Sequence, residues 1–186
     1  MRKVVLMMSV SLDGFMEGPD REIDWHRVDD ELLAHMNGWL GRAGAFLDGR
    51  VTYELMAGYW PAVAADPQAA ALAAEFAKIW RETPKYVFTR SAGRPDWDAT
   101  VLHEVDPAFI AQLKRQDGGD LVLGGADLAV SFLDLGLVDE YRVYVHPVVI
   151  GRGRPLFRRP DAFDALELVE THRFGNGVVL LRYATA

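Results

Sequence analysis

A strand, a pair of glycines and a helix follow one another without a break in DLVLGGADLAVSFLDLGL, residues 120–137, and this junction constrains the fold more than any other stretch of the chain. Leu121, Val122 and Leu123 form the short apolar run of a buried strand, and Gly124 and Gly125 make the turn. From Ala126 onward, Leu128, Phe132, Leu133 and Leu135 return at helical spacing. Two glycines leave no side chain over the helix start, where unpaired backbone N–H groups and the positive end of the helix dipole can hold a phosphate. A nucleotide-binding turn is therefore the leading reading. The plain alternative, a tight strand-to-helix turn with no ligand, stays open because neither GxGxxG nor GxxxxGK(S/T) is present.

Two more junctions upstream have the same form. Ala45 to Asp48 reads as a strand, after which Gly49-Arg50-Val51-Thr52-Tyr53-Glu54 opens a short helix with Leu55 and Met56 inside it. Thr52 can cap or stand beside free N–H groups, and Arg50 adds a cation suited to a pyrophosphate. Helix capping alone accounts for Thr52 but not for Arg50. Lys85 to Thr89 is a third strand, with Arg90-Ser91 just past its end and Gly93 and Pro95 closing the segment. A cation beside a hydroxyl can grip a phosphate monoester; the competing reading is a solvated loop. Ligands of an open α/β sheet bind outside the carboxyl ends of the strands, so the shared position of the three turns outweighs any one of them.

The remaining segments frame these turns. KVVLMMSV, residues 3–10, is a central strand that empties into a long loop with turn residues at Asp13-Gly14 and Gly18-Pro19-Asp20. This loop, carrying Asp13 and Asp20 beside Phe15, Met16 and Trp25, is the expected substrate lid. Val28 to Leu40 is a helix with Val28, Leu32, Leu33, Met36, Trp39 and Leu40 inward; Asp29, Asp30 and Glu31 complement its dipole. The alanine-rich residues 67–82 form a packing helix. Ala99 to Glu104 is a marginal strand, and Pro107 to Arg115 a helix capped by Asp106. Asp139 to Ile150 reads as one long strand reaching the basic turn 151–155, and Leu166 to Thr171 and Val178 to Tyr183 form an antiparallel ending. The whole predicts a mostly parallel sheet with helices on its faces and an antiparallel edge.

Composition narrows the function. A chain of 186 residues, half of them apolar, fits one domain over residues 1–186. A formal charge of −7 with both signs interspersed offers no basic stripe, so nucleic acid is not the expected partner. Without cysteine there is neither a disulfide framework nor a thiolate zinc site, and no two of the five histidines fall on one helix turn. No metal is expected. VVLMM after Met1-Arg2-Lys3 is too short for a signal peptide, and no apolar run approaches the roughly 20 residues that span a bilayer. The expected address is the cytoplasm. GxSxG is absent, and His146, before Pro147, reads as a packed or edge histidine rather than a catalytic base. The apolar, edge-capable strand Val143 to Ile150 predicts a homodimer.

SLDGF (Ser11 to Phe15), GRVTYE (Gly49 to Glu54), FTRS (Phe88 to Ser91), LGGADL (Leu123 to Leu128) and PVVIGRGRPLF (Pro147 to Phe157) span nearly the whole chain. In this order they resemble the dihydrofolate reductase-like superfamily. The nearest branch is similar to the C-terminal reductase domain of bacterial bifunctional riboflavin-biosynthesis deaminase-reductases. The resemblance implies the three-layer fold of that superfamily, a homodimer and NADPH as cofactor. By it, Gly49, Arg50 and Thr52 serve the cofactor phosphates, Arg90 and Ser91 the adenosine 2'-phosphate, and Gly124, Gly125, Ala126, Asp127 and Leu128 the pyrophosphate turn. Leu123 is a departure, since the riboflavin-pathway reductases carry an acidic residue there. Folate reductases place a carboxylate at the start of the first helix, and Asp30 is the residue that could mimic it. The expected activity is hydride transfer from NADPH to a small pterin- or pyrimidine-like acceptor. Asp13 and Asp30 are the candidate catalytic acids, either of which is otherwise a turn residue or a dipole partner, and Phe15 and Trp25 the candidate substrate contacts. The alternative is a non-catalytic dinucleotide-binding or regulatory protein.

Overall fold

Val4, Val5 and Leu6 are fully buried, as a strand covered on both faces requires. In the computed structural model, which describes residues 1–91, 98–158 and 164–186, they open the strand at the centre of the main sheet. The expectations attached to Gly93, Pro95 and Trp97 lie outside the described residues. In chain order the elements are β1 (Val4–Ser11), β2 (Phe15–Glu17), α1 (Asp30–Leu40), β3 (Ala45–Gly49), α2 (Arg50–Ala65), α3 (Ala71–Glu82), β4 (Lys85–Phe88) and β5 (Thr100–Leu102). They continue with α4 (Pro107–Arg115), β6 (Leu121–Gly124), α5 (Ala126–Asp134), β7 (Glu140–His146), β8 (Arg154–Pro155), β9 (Leu166–Arg173) and β10 (Val179–Thr185).

Eight strands form one sheet in the order β5-β4-β3-β6-β1-β7-β10-β9. The pairs from β5 through β7 are parallel, and β10 runs antiparallel to both β7 and β9. The expected mostly parallel sheet with an antiparallel C-terminal edge is thus present. Alternation along the strands divides the core into two layers. Leu121 and Leu123 of β6 pack with Ile110 and Leu113 of α4 and Leu128, Phe132 and Leu133 of α5. Val122 packs on the other face with Leu32, Met36 and Leu40 of α1, Tyr53 of α2, and Phe76 and Trp80 of α3. Helices on both faces of the sheet make the three layers.

Several element bounds differ from the sequence expectation, and four of them bear on the site or the core. The first helix begins at Asp30 because the Asp29 carboxylate caps it, accepting from the Leu32 N–H at 3.0 Å; Val28 is left outside and exposed. α2 continues through Pro61 to Ala65, although a proline removes one ladder bond. β7 stops at His146 rather than Ile150, since Pro147 has no N–H to continue the ladder. The long loop after β1 contains β2, whose Phe15 and Glu17 pair with Pro155 and Arg154 of β8, so the expected lid is partly a two-stranded ribbon.

The edge-strand argument for a homodimer is also corrected. β7 lies between β1 and β10 and is hydrogen-bonded on both sides. The edge on that side of the sheet is β9, beyond β10, which carries Leu168 and Val169, 59% and 48% exposed.

Candidate functional site

β4, β3 and β6 are consecutive parallel neighbours, so their carboxyl ends share one rim and the three turns that follow them come together. They line a cleft of about 740 Å³. Gly49, Arg50, Val51 and Thr52 enter from the start of α2, Thr89 and Arg90 from the end of β4, and Gly125, Ala126, Asp127 and Leu128 from the start of α5. Residues distant in sequence are thus gathered by sheet order alone. Ser91 and Gly124 lie outside the lining. The Ser91 N–H donates to Thr89 Oγ1 at 3.1 Å, which shapes the Arg90 turn. Gly124 ends β6 where a β-carbon would stand 2.9 Å from Asp48 Oδ1, so its lack of a side chain lets two strand ends approach.

The two glycine turns meet each other. Gly125 has φ +86°, a left-handed backbone that glycine adopts without strain, and a β-carbon there would stand 2.5 Å from Thr52 Oγ1. Gly49 and Gly125 are the N-caps of α2 and α5, and neither helix has a side-chain cap. Their first N–H groups are thus left for another acceptor. Arg50 pairs with Glu54 at 2.8 Å one turn along, with both side chains nearly half exposed. Such a pair contributes little stability and is readily exchanged for a phosphate. Asp48, one residue before Gly49, is buried; loss of water pushes its carboxyl up to about 7, while the Lys85 charge pulls the other way.

At the β5 end of the cleft, the carboxyl end of that strand contributes His103, Glu104 and Val105. His103 Nδ1 lies 2.9 Å from the Thr89 carbonyl and must donate to it, because a carbonyl only accepts. Glu104 is a carboxylate on the same lining as Arg90. Asp96, the next acid after Arg90 in the sequence, lies outside the described residues. The signal was available in the rule already used for the other strands, that the residues just past a strand's end face the ligand.

The opposite end is walled by Met8, Met16, Ile23, Val51 and Leu55, with His26 as its imidazole. Neither Phe15 nor Trp25 reaches the lining; in each case the next residue does. Met16 is buried toward the cleft while Phe15, its neighbour in β2, points elsewhere by strand alternation. Trp25 packs edge-on against His26 and His146 and donates from Nε1 to the Glu22 carbonyl at 3.2 Å. Burial holds the His26 imidazole below the usual histidine range, partly offset by the Met16 carbonyl, and its Nε2 has no hydrogen-bond partner among the described residues. His146 is fully buried, with Nδ1 accepting from the Arg27 N–H at 3.0 Å, the packed histidine that was expected.

The structure brings neither Asp13 nor Asp30 to the cleft. The Asp13 carboxylate accepts from the N–H groups of Gly151 at 2.8 Å and Ile150 at 3.3 Å, so it ties down the turn after β7. A hydrogen bond from the Ser11 side chain, with these backbone N–H groups, holds its carboxyl below the usual range. Asp30 is the exposed first residue of α1.

Asp127 has its backbone on the α5 turn and its side chain engaged elsewhere. Its carboxylate takes Arg154 Nη1 and Arg158 Nη2, each at 2.6 Å. Desolvation pushes this carboxyl up, but the hydrogen bonds and charges of Arg158 and Arg154 together hold it low. Arg154 also lines the cleft and binds Glu17 of β2 through Nε at 2.9 Å.

Residues 2–180 match the model of the RibD C-terminal domain family. The uncharacterized protein YyaP of Bacillus subtilis (strain 168) is 36% identical over 183 residues, covering 98% of this chain and 94% of its own. A putative riboflavin biosynthesis protein from Shewanella sp. PV-4 superposes with a TM-score of 0.72 at 17% identity, covering 99% of each chain. The Thermotoga maritima diaminohydroxyphosphoribosylaminopyrimidine deaminase/5-amino-6-(5-phosphoribosylamino)uracil reductase superposes at 0.65 with 17% identity. That likeness covers all of this chain and 57% of the Thermotoga chain. With the sheet order described above, these likenesses establish the fold expected from the motifs.

Proposed function

This chain belongs to the RibD C-terminal domain family, and on that premise we propose that it is an NADPH-dependent reductase acting on a small heterocyclic acceptor. The observation that carries the reading is the convergence of the Gly49, Arg90 and Gly125 turns on one cleft. The residues present fit the cofactor: two uncapped helix starts lie side by side, and a β-carbon at Gly125 would collide with Thr52. In this proposal the N–H groups at the starts of α2 and α5 hold the pyrophosphate, Arg50 supports it, and Arg90 with Ser91 takes the 2'-phosphate. NADPH when bound supplies the hydride. Met8, Met16, Ile23 and Leu55 give the cleft an apolar wall that favours a flat ring. His26 is the polar group that would orient such a ring.

A second reading, dinucleotide binding without turnover, is favoured by one observation. Asp13 and Asp30 both lie outside the cleft, and the acid nearest the Met16 end, Glu17, is held by Arg154. NADPH oxidation followed at 340 nm with pterin, folate and pyrimidine acceptors separates the two. Turnover with any of them supports the reductase; tight NADPH binding with no turnover supports the binder.

The same proposal includes a homodimer paired through β9, whose unpaired edge carries the exposed Leu168 and Val169. Light scattering giving twice the chain mass of 20.7 kDa supports it, and a monomer removes it. Among the described residues no helix is long and apolar enough to cross a membrane, and the cytoplasmic address belongs to the proposal.

A further inference from the structure

Asp127 is held by two arginines although one would neutralise it. It stands in the first turn of α5, where its own charge opposes any phosphate arriving at the same N–H groups. Its side chain is 70% exposed, so each ion pair is formed in water and is weak. Arg154 differs from Arg158 in lining the cleft and in holding Glu17 through a separate nitrogen. Nε serves Glu17 and Nη1 serves Asp127, so the guanidinium can give up one partner and keep the other. Glu17 directly follows Met16, which walls the far end of the cleft, and Arg154 itself pairs with Glu17 across the β2/β8 ribbon.

We propose that Arg154 is a positioning residue that exchanges Asp127 for the cofactor pyrophosphate while keeping Glu17, so that cofactor binding draws the β2/β8 ribbon and Met16 onto the substrate end. The proposal rests on the NADPH reading above. Arg158 makes the exchange cheap, because it stays on Asp127 and leaves no uncompensated carboxylate beside the incoming phosphate. A charge-assisted bond from Arg154 to a dianionic pyrophosphate replaces a bond to a single exposed carboxylate. Asp127 is therefore a resting place for the arginine, and the ordering of the substrate end follows cofactor binding.

The test is a set of NADPH titrations by calorimetry on the full chain, with amide hydrogen exchange of residues 15–17 measured with and without saturating NADPH. Asp127→Asn frees Arg154 and is expected to tighten NADPH binding by about two- to five-fold. Arg154→Met is expected to weaken it about ten-fold and to abolish the NADPH-induced slowing of exchange at residues 15–17. Arg154→Lys keeps a cation without the fork and is expected to recover affinity but not the slowing; it also serves if Arg154→Met folds poorly. A wild-type chain that binds NADPH while Asp127→Asn binds it equally or more weakly overturns this inference alone. So does slowing that persists in Arg154→Lys at saturation. A wild-type chain that binds no NADPH overturns both this inference and the reading beneath it.

Discussion

The hydroxyl of Thr52, in the first turn of α2, fills the space where a side chain at Gly125 would begin. Two helix starts on different strands are thereby locked at one spacing, which suits a pyrophosphate held by both. Gly125→Ala places a methyl 2.5 Å from Thr52 Oγ1 and must also adopt φ +86°. The left-handed backbone alone costs roughly 1–2 kcal/mol. A lower melting temperature is expected together with a loss of NADPH affinity of at least about ten-fold. Calorimetric titration after confirming the folded state measures it, and unchanged affinity would remove the pyrophosphate assignment.

Arg90 and Glu104, just past the ends of the neighbouring strands β4 and β5, line the cleft with opposite charges. Arg90→Ala is expected to weaken NADPH about ten-fold or more and to leave NADH nearly unchanged, since only NADPH carries the 2'-phosphate. Glu104→Gln is expected to act in the opposite direction, favouring NADPH by removing a like charge. Dissociation constants for both cofactors at low and moderate salt check the pair. An equal loss for NADPH and NADH in Arg90→Ala contradicts the assignment.

Asp48 makes stability depend on pH. Its carboxyl is pushed from 3.8 up to about 7 in the folded chain, so between these values the folded state keeps a proton that the unfolded state has released. Stability from this group therefore falls as pH rises from about 4 to about 7 and is level above. Asp48→Asn removes the effect, and its melting temperature should gain on the wild type between about pH 4 and about pH 7. Parallel melting curves across that range would show that Asp48 ionises normally.

Glu140 works in the reverse sense. It is 2% exposed and receives Arg182 Nε at 2.6 Å, Lys3 Nζ at 3.1 Å and Arg142 Nε at 3.3 Å, linking β7 and β10 to the residue just before β1. Desolvation pushes its carboxyl up, but the hydrogen bonds and charges of Arg182 and Lys3 outweigh that and hold it low. Its contribution is present above the ordinary carboxylate range and is lost as pH falls through the lowered value. Glu140→Gln takes the buried counter-charge from Arg142 and leaves Arg182 with Glu170 at 3.2 Å, and is expected to cost about 3 kcal/mol, read from urea denaturation. The deficit should shrink in acid.

Asp13 and Asp30 are decided by kinetics if turnover is found. Since neither lines the cleft, Asp13→Ala and Asp30→Asn are expected to keep kcat/KM within about two-fold, a change well under one kcal/mol. Asp13→Ala should lower the melting temperature by releasing the N–H groups of Ile150 and Gly151. A large fall in kcat for either would return that acid to the chemistry.

The amino-acid sequence by itself determined the strands of the main sheet, the helices and the three turns, because each is written in short-range terms: an apolar run, a glycine pair, a capping aspartate. Asp106 before Pro107 and Gly124-Gly125 after Leu123 are legible from their neighbours alone. Only the tertiary structure decided which residue of each neighbouring pair faces the cleft. Met16 rather than Phe15 reaches it because β2 pairs with β8, a strand more than a hundred residues away, and His26 rather than Trp25 reaches it while stacked on the equally distant His146. The same holds for Glu104 and Arg154, which meet the turns only through sheet order and ribbon pairing, and for Asp13, whose partners lie across the chain at Ile150 and Gly151. Local periodicity carries no record of such distant partners. They are selected when the sheet assembles and buries one face of each strand.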